Sequence, residues 1–513
     1  MTEYFFRAEG VNLSPTVYDT SDISTIRGAG FYLLTRVGAL ARKYKQQLIT
    51  EGASSAVFAI TTENPDAVRQ EMLCFLYKDK TTGSPIREMM FLVEFIENTG
   101  DIPKLMAKLL GKIRMAQMQT ASFRLFRKTL KSGYFNNGKI MGFDALNRVL
   151  PAHQDTIKGG LSDFTHSRRE QGKALRDEIY KELLADVKTS VPDYPVTNSL
   201  QVLAEDDKQG NLSGKIAYIY IDGNKFGALQ QDFSVKQFRE YDIKLQGFKK
   251  KFLAGILELV IENKSFLTTD HRVRLETLLW GGDELKLIVP AWMGWKVASL
   301  FFRLAESDEM KMETKINNEN ITCDLTYAMG LVFAHRNNPV RNIGQIAEEL
   351  AETVKKELSE YKEFKYPAYT RASGNRMHYA VLESLESFPS DYADFIDSYY
   401  SQQDSRKLSL SPSEMDQLKA FAELCEEYFS HSSVHKIART CSEKPGNEYY
   451  EALQRALDVC EADGKGRKKL TAAIEDVTGT VFVNEQIKKG SARKNIKWRQ
   501  IAELWDYLKW KES

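Results

Sequence analysis

Two short stretches of the chain carry the residue types that metal-assisted phosphoryl chemistry needs. Ile216–Ile221 is a β-rich run that ends at Asp222 and is followed at once by Gly223. Further along, Leu275–Trp280 and Leu285–Val289 are apolar runs separated only by Gly281-Gly282-Asp283-Glu284, the pattern of a β-hairpin with acids at its tip. Joining nucleotides requires that a 3′-hydroxyl lose its proton. It also requires that charge on the α-phosphate and the leaving pyrophosphate be neutralised. Two divalent cations about 4 Å apart, bridged by carboxylates, do both. Mg²⁺ and Mn²⁺ take oxygen ligands, so Asp222, Asp283 and Glu284 are the expected metal ligands and catalytic residues. Gly281 and Gly282 allow a sharp turn and a close backbone approach to a phosphate or base. A Gly-Gly-Asp turn alone is usually structural. Here it lies between two apolar strands, and an Asp closes the preceding strand.

The elements around these residues have an order that would bring them together. The strand at 216–221 is followed by a helical stretch to about Asn263, the hairpin, a helix over Trp292–Ala305 and a strand over Leu325–Ala334. An amphipathic helix over Ile343–Leu358 and a last strand over Met377–Leu382 follow. The order β-α-β-β-α-β is the ferredoxin-like plan of polymerase palms and nucleotide cyclases. In it the first strand and the hairpin are central neighbours, so Asp222 and Asp283 would face one another across the sheet end.

Outside this region the reading is α+β as well. In residues 1–130, strand-like Ala56–Ile60 and Met89–Ile96 alternate with helical Val68–Leu76 and Ile102–Met115. Residues 131–205 are charged and mostly helical, with Ser167–Val187 as their helix and Val191–Asn198 as a linker candidate. Residues 206–400 hold the acidic hairpin. A polar stretch, Ser401–Ser413, bounds a last region, 401–513, that reads as helix throughout. The chain of 513 residues has room for about three or four domains.

Composition narrows the function classes. Lys+Arg is 71 against Asp+Glu 70, so no global basic field gathers nucleic acid, and such binding needs a local patch. Lys488–Arg499 offers one, with six cations, no acids and Trp498. The five cysteines form no C-x-x-C pair, which argues against a zinc ribbon or a disulfide framework and fits a reducing cytoplasm. Met1–Gly10 does not read as a signal peptide, and no run approaches the roughly 18 apolar residues of a membrane span. His335 at a strand end reads as structural. Arg27, Gly28 and Gly30 read as a closely packed helix start.

The motifs Ile221-Asp-Gly-Asn-Lys-Phe-Gly227, Trp280-Gly-Gly-Asp-Glu-Leu285 and Thr326-Tyr-Ala-Met-Gly-Leu-Val-Phe-Ala-His335 with Pro339 together resemble the active palm of the large subunit of type III CRISPR effector complexes. The N-terminal Tyr18–Gly30 resembles that family's first, inactive palm more weakly. The resemblance implies two ferredoxin-like palms with helical insertions and an all-α C-terminal domain. It implies ATP as substrate, two Mg²⁺ or Mn²⁺ ions, and a cyclic oligoadenylate or related second messenger as product. It implies nucleotide contacts from Gly223, Asn224, Phe226, Gly227, Gly281 and Gly282, and from Lys355 or Lys356 late on the following helix. Implied partners are the other subunits of a type III complex, guide RNA and target RNA.

The departures from that pattern matter. Asn224 stands where the family often has a second acid, and Glu284 replaces the second Asp of the hairpin. The zinc-binding interpalm cysteines are absent. No His-Asp dipeptide occurs, so the expectation is a form without the family's HD nuclease. Glu284 and Phe226 also suit a GGDEF-type diguanylate cyclase, and Asn224 suits a non-enzymatic nucleotide-binding scaffold.

Overall fold

The computed structural model describes residues 1–77, 88–121, 142–152, 154–184, 194–316, 319–360, 374–382, 409–443, 447–460, 464–480, 482–483, 486–487 and 496–508. The chain is a mixed α+β protein built on two sheets.

The first sheet takes β1 (Thr2–Val11), β2 (Leu48–Glu51), β3 (Ser55–Thr62) and β4 (Met90–Glu97), in the order β2-β3-β1-β4 and antiparallel throughout. Helix α1 (Ile23–Lys43) follows β1, α2 (Pro65–Tyr77) follows β3 and α3 (Ile102–Gln119) follows β4. Strand β1 escapes a reading by hydrophobic alternation because it carries Arg7 and Glu9, which bond to each other at 2.7 Å. A connecting helix, α4 (Asp163–Leu184), then packs against α1. The two helices touch through glycine: a Cβ on Gly28 would lie 1.8 Å from the Arg168 carbonyl oxygen. The close-packing role expected for the start of α1 is therefore met. Arg27 beside it reaches out of the first half, bonding Glu276 at 2.8 Å.

The second sheet takes β5 (Lys215–Gly223), β6 (Glu276–Trp280), β7 (Leu285–Pro290), β10 (Tyr327–His335) and β11 (Arg376–Leu382), in the order β11-β10-β5-β7-β6. Its four strands other than β11 are antiparallel neighbours, and β11 joins β10 in parallel. Numbered by appearance within each sheet, the first runs 2-3-1-4, the ferredoxin-like order, and the second runs 2-3-1-4-5, the same order with β11 added as a fifth strand. Helix α5 (Val235–Glu262) links β5 to β6, and α6 (Ala291–Ala305) follows β7. A polar hairpin, β8 (Lys311–Ile316) with β9 (Glu319–Asp324), intervenes before β10. Its charged alternation hid it from a search for apolar runs. Helix α7 (Val340–Glu360) lies directly on β10, since a Cβ on Gly330 would sit 1.9 Å from the Ala347 carbonyl oxygen.

Local chemistry explains these elements. Strand β5 reads Lys-Ile-Ala-Tyr-Ile-Tyr-Ile-Asp-Gly, rich in β-branched and aromatic residues and buried from Ile216 to Ile221, as a central strand should be. Helix α5 begins with a capping box in which Ser234 and Gln237 satisfy each other's backbone N–H groups.

The rest is mainly helical: α8 (Pro412–Tyr428), α9 (His431–Glu443), α10 (Asn447–Val459), α11 (Gly464–Thr478) and α12 (Ile496–Leu504). The all-helical expectation here is corrected by a small hairpin, Phe482–Val483 with Gln486–Ile487. Gly479 ends α11 in the left-handed region (φ 66°), and β-branched residues follow it. Part of the boundary stretch 401–413 is seated in the fold. Residues 401–408 lie outside the described residues, but Leu410 is buried and exchanges two backbone bonds with Met377 of β11, at 2.9 and 2.7 Å. Residues 191–193 of the linker candidate lie outside the described residues, and Val196 bridges to Val273.

Residues 488–495 of the basic stretch also lie outside the described residues. Trp498, however, is fully buried, packs edge-on to Phe421 and donates its indole N–H to the Tyr449 hydroxyl at 3.1 Å. It is a core residue and offers no face for stacking a base, so that part of the nucleic-acid reading is withdrawn. All five cysteines are free. No helix among the described residues is long and apolar enough to cross a membrane.

Gly330→Ala tests the seating of α7. The added methyl must push the helix off β10, an overpacking that costs about 1–3 kcal/mol. Denaturant midpoints should fall accordingly. A wild-type midpoint would contradict the close contact.

Candidate active site at the end of the second sheet

The register of the central strands builds the site. Ile221 of β5 pairs with Leu285 of β7. Asp222 lies one residue past that pair and Glu284 one residue before it, so the two emerge side by side at one end of the sheet. On its other flank Asp222 pairs with Ala328 of β10. The Gly281–Glu284 turn is closed by the Gly281 N–H, which donates to the Glu284 carbonyl at 2.7 Å. A Cβ on Gly281 would come within 2.5 Å of that same oxygen, so only glycine fits.

Each acid meets a cation supplied by a different element. Asp222 forms an ion pair with Lys355, two turns beyond the Gly330 contact on α7, and Lys355 also reaches Glu352 at 3.0 Å. The Tyr220 hydroxyl donates to Asp222 at 3.4 Å. Glu284 lies 3.3 Å from Lys286, which bonds Glu348 of α7 at 2.7 Å. Burial works against the charge on Lys286, but Tyr18, Glu284, Tyr218 and Glu348 around it hold its pKa above the ordinary lysine value. Burial raises the carboxyl pKa of Asp283, and the neighbouring charge of Asp222 raises it further, while Lys249 and Lys355 oppose. Burial likewise raises Glu284, with Lys286 opposing. Lys249 of α5 is buried and donates to the Gly281 carbonyl. Burial lowers its pKa to about 8, against the pull of Asp283, Glu51 and Asp242.

The other residues singled out from sequence divide into two groups. Gly282 is open, its nearest neighbour in the Cβ direction being the Gly52 Cα at 3.8 Å, and Gly227 has nothing within 4 Å. Gly223 lies against Phe226, where a Cβ would meet the ring at 2.5 Å. Phe226 itself is buried, edge-on to Tyr241 and Tyr327, so its ring belongs to the core. Asn224 is buried as well. Its amide donates to Thr326 Oγ1 at 3.1 Å and to the Gly374 carbonyl at 2.8 Å, tying the end of β5 to the strand starts beside it. Lys356 is exposed on α7. His335 accepts from the Asn337 N–H at 3.3 Å, a structural role.

Sequence reasoning missed Lys249, Lys286, Glu348 and Asp242. Lys249 is the first of three consecutive lysines, a pattern usual on a solvated helix face. Its signal is helical phase: it falls on the stripe of Phe238, Tyr241, Leu245, Phe248 and Phe252, where a lysine is buried only if partnered.

Among the described residues no three His, Cys, Asp or Glu side chains form a ready metal cage. Mg²⁺ does not require one, because one or two carboxylates with phosphate oxygens and waters hold it. Asp222 and Asp283 are near enough for the charge of one to raise the pKa of the other. A divalent cation would relieve that repulsion, so the donor set fits such an ion.

No family model and no curated protein matches the chain. Solved structures do. Csm1 in T. onnurineus is similar over 98% of this chain and 70% of its own, with a TM-score of 0.52 and 10% identity. The chain has the Csm1 fold. That is the fold of the type III CRISPR large subunit that the motifs resemble. Csm1–Csm4 cassettes also match. One in complex with pppApApA has a TM-score of 0.49 and 12% identity, covering 99% of this chain and 70% of that one. One in complex with cA4 has a TM-score of 0.48 and 10% identity over the same shares. At these identities the likeness to Csm1 is one of fold.

The charge arrangement makes stability pH-dependent. Asp242 of α5 accepts from Thr50 Oγ1 at 2.9 Å and from the Glu51 N–H at 2.7 Å, yet burial raises its pKa from 3.8 to about 7. A carboxyl raised on folding favours the folded state fully below its unfolded value, and the benefit is lost as pH rises through the folded one. Asp283, Glu284 and Glu276 shift in the same direction. The urea midpoint of the metal-free protein should therefore fall between about pH 4 and 7, and Asp242→Asn should flatten that slope. An unchanged slope in the variant would contradict the burial of this carboxyl.

Proposed function

We propose that the chain is a metal-dependent nucleotidyl transferase of the type III CRISPR large-subunit kind. It joins ATP 3′ to 5′ into cyclic or linear oligoadenylates, or a related ATP-derived product, when its complex meets target RNA. The observation that carries this reading is the register of β5 and β7, with Asp222 beside the Asp283–Glu284 hairpin. In this reading residues 1–130 are an inactive first palm, 131–205 an interpalm region, 206–400 the catalytic palm and 401–513 a helical C-terminal domain. Partners are the other subunits of the complex and its guide RNA.

Asp222 and Asp283 would hold the Mg²⁺ or Mn²⁺ ions, with Glu284 beside them. Bound there, the ions supply the positive charge that neutralises phosphate oxygens and favours loss of the 3′-hydroxyl proton. The remaining work falls to the chain. Lys355, which pairs with Asp222 here, can turn to a phosphate once Asp222 has another cation to balance it. Lys286 opposes the effect of burial on Glu284 and holds it at the turn. Gly282 leaves backbone room for a phosphate or base. A diguanylate cyclase of the GGDEF type would share Glu284 and the hairpin, but it leaves the first sheet, whose four strands follow the order of the first four in the second sheet, without a purpose.

Labelled ATP or GTP with Mg²⁺ or Mn²⁺, with and without target-bound partners, tests the reading. Asp283→Ala with Glu284→Ala should abolish joining of ATP and leave the fold intact, since relieving crowded carboxylates favours it. Retention of even a tenth of wild-type turnover, a loss of only about 1.4 kcal/mol, would put the chemistry elsewhere. Asp222→Asn should lose activity in Mg²⁺ and regain part of it in high Mn²⁺, which binds the same oxygen ligands more tightly. Full activity of Asp222→Asn in Mg²⁺ would overturn the reading, and a guanosine product would favour the cyclase alternative.

A further inference from the structure

Helix α5 holds two ionisable side chains, half-buried Asp242 and buried Lys249, that the proposed chemistry does not use. They are seven residues apart, two helical turns or about 10 Å along the axis, and share one face. Each grips a different half of the molecule. Lys249 donates to the Gly281 carbonyl, at the start of the acidic turn. The N–H of the same residue closes the turn onto Glu284. Both backbone groups of Gly281 are therefore held, one by the turn and one by α5. Asp242 grips the end of β2 through Thr50 Oγ1 and the Glu51 N–H, and Arg239 adds a bond to the Leu48 carbonyl at 3.0 Å. The next residue, Gly52, lies on the Cβ side of Gly282 at the hairpin tip, its Cα 3.8 Å from where a Cβ would stand. The end of β2 and the tip of the hairpin thus lie close together, and one face of α5 buttresses both.

The alternative is that Lys249 merely fills space. Against it, a buried lysine carries a desolvation penalty that an apolar side chain of its size would avoid, and its amine ends on the one carbonyl that orients the turn. Asp283 lies two residues beyond that carbonyl. Rotation of the Gly281 peptide would swing the acid, and a misplacement of about 1 Å can cost on the order of a hundredfold in rate.

We propose that Lys249 is a positioning residue for the Asp283 hairpin, and that α5 couples the hairpin to the seating of β2 on Asp242. Whatever shifts the first sheet, a bound partner included, then reaches the acidic turn through this helix. The catalytic consequence rests on the nucleotidyl-transferase reading; the mechanical coupling does not.

The full chain tests both parts, with Lys249→Met and Asp242→Ala. Hydrogen exchange across Trp280–Leu285 is measured without nucleotide or metal, beside exchange in α9 as a control. Lys249→Met should speed exchange at the hairpin by about tenfold and leave α9 unchanged, and Asp242→Ala should speed the same segment by at least about threefold although it does not touch it. With ATP, Lys249→Met should lower kcat by about tenfold while KM stays within about threefold, the signature of misplaced chemistry rather than lost binding. Lys249→Gln, which keeps a donor, should recover part of both effects, and it carries the test if Lys249→Met does not fold. Hairpin exchange within about twofold of wild type in the Lys249 and Asp242 variants would overturn the proposal. Faster exchange with unchanged kcat would overturn the positioning role. A wild-type chain that never joins nucleotides would defeat the functional reading instead, and the exchange data would still decide the coupling.

Discussion

Carboxylates crowded at the end of one sheet repel each other, and the second half of the molecule is arranged around that repulsion. Asp222 comes from one strand and Asp283 and Glu284 from the turn that leads into its neighbour, and burial makes the charges of Asp283 and Glu284 harder to keep. Three amines answer them, each from its own element: Lys355 from α7, Lys286 from β7 and Lys249 from α5. None of the three could arrive without tight packing elsewhere. Lys355 depends on α7 lying against Gly330, and Lys286 on its second partner, Glu348. The site is therefore a balance of charge held by a scaffold, and one that an incoming cation would rearrange.

The first sheet takes part in that scaffold. Arg27 of α1 reaches Glu276 of β6, both of them buried, so the first half of the chain is tied to an edge strand of the second sheet. Removing one partner of such a buried pair is far more costly than exchanging both, about 3–5 kcal/mol, because the other is left charged and unpaired. The end of β2 lies close to the hairpin tip. The two sheets thus come together around the acidic turn.

Much of this was legible in the sequence, and the reasons are physical. The strands and helices of the second sheet stood out because their apolar periods are strong and Gly-Gly-Asp-Glu leaves only one short connection between two of them. Strand β1 was hidden by Arg7 and Glu9, and the β8–β9 hairpin by its charge. The acids were legible because they end strands. The cations were not, since pairing across long sequence separations, as between Lys355 and Asp222 or Lys286 and Glu348, leaves no local pattern. Trp498 misled because an aromatic among basic residues looks like a stacking platform, whereas its ring fills the helical core.

The central claim is that Asp222 and Asp283 gather divalent cations over a nucleotide triphosphate. Anomalous diffraction from crystals grown with Mn²⁺ and a non-hydrolysable ATP analogue tests it most directly. The account predicts Mn²⁺ peaks at about 2.2 Å from the Asp222 and Asp283 carboxylates, shared with phosphate oxygens, and Lys355 drawn off Asp222. Nucleotide bound elsewhere, or bound at this turn with Lys355 still on Asp222 and no anomalous density, would contradict it.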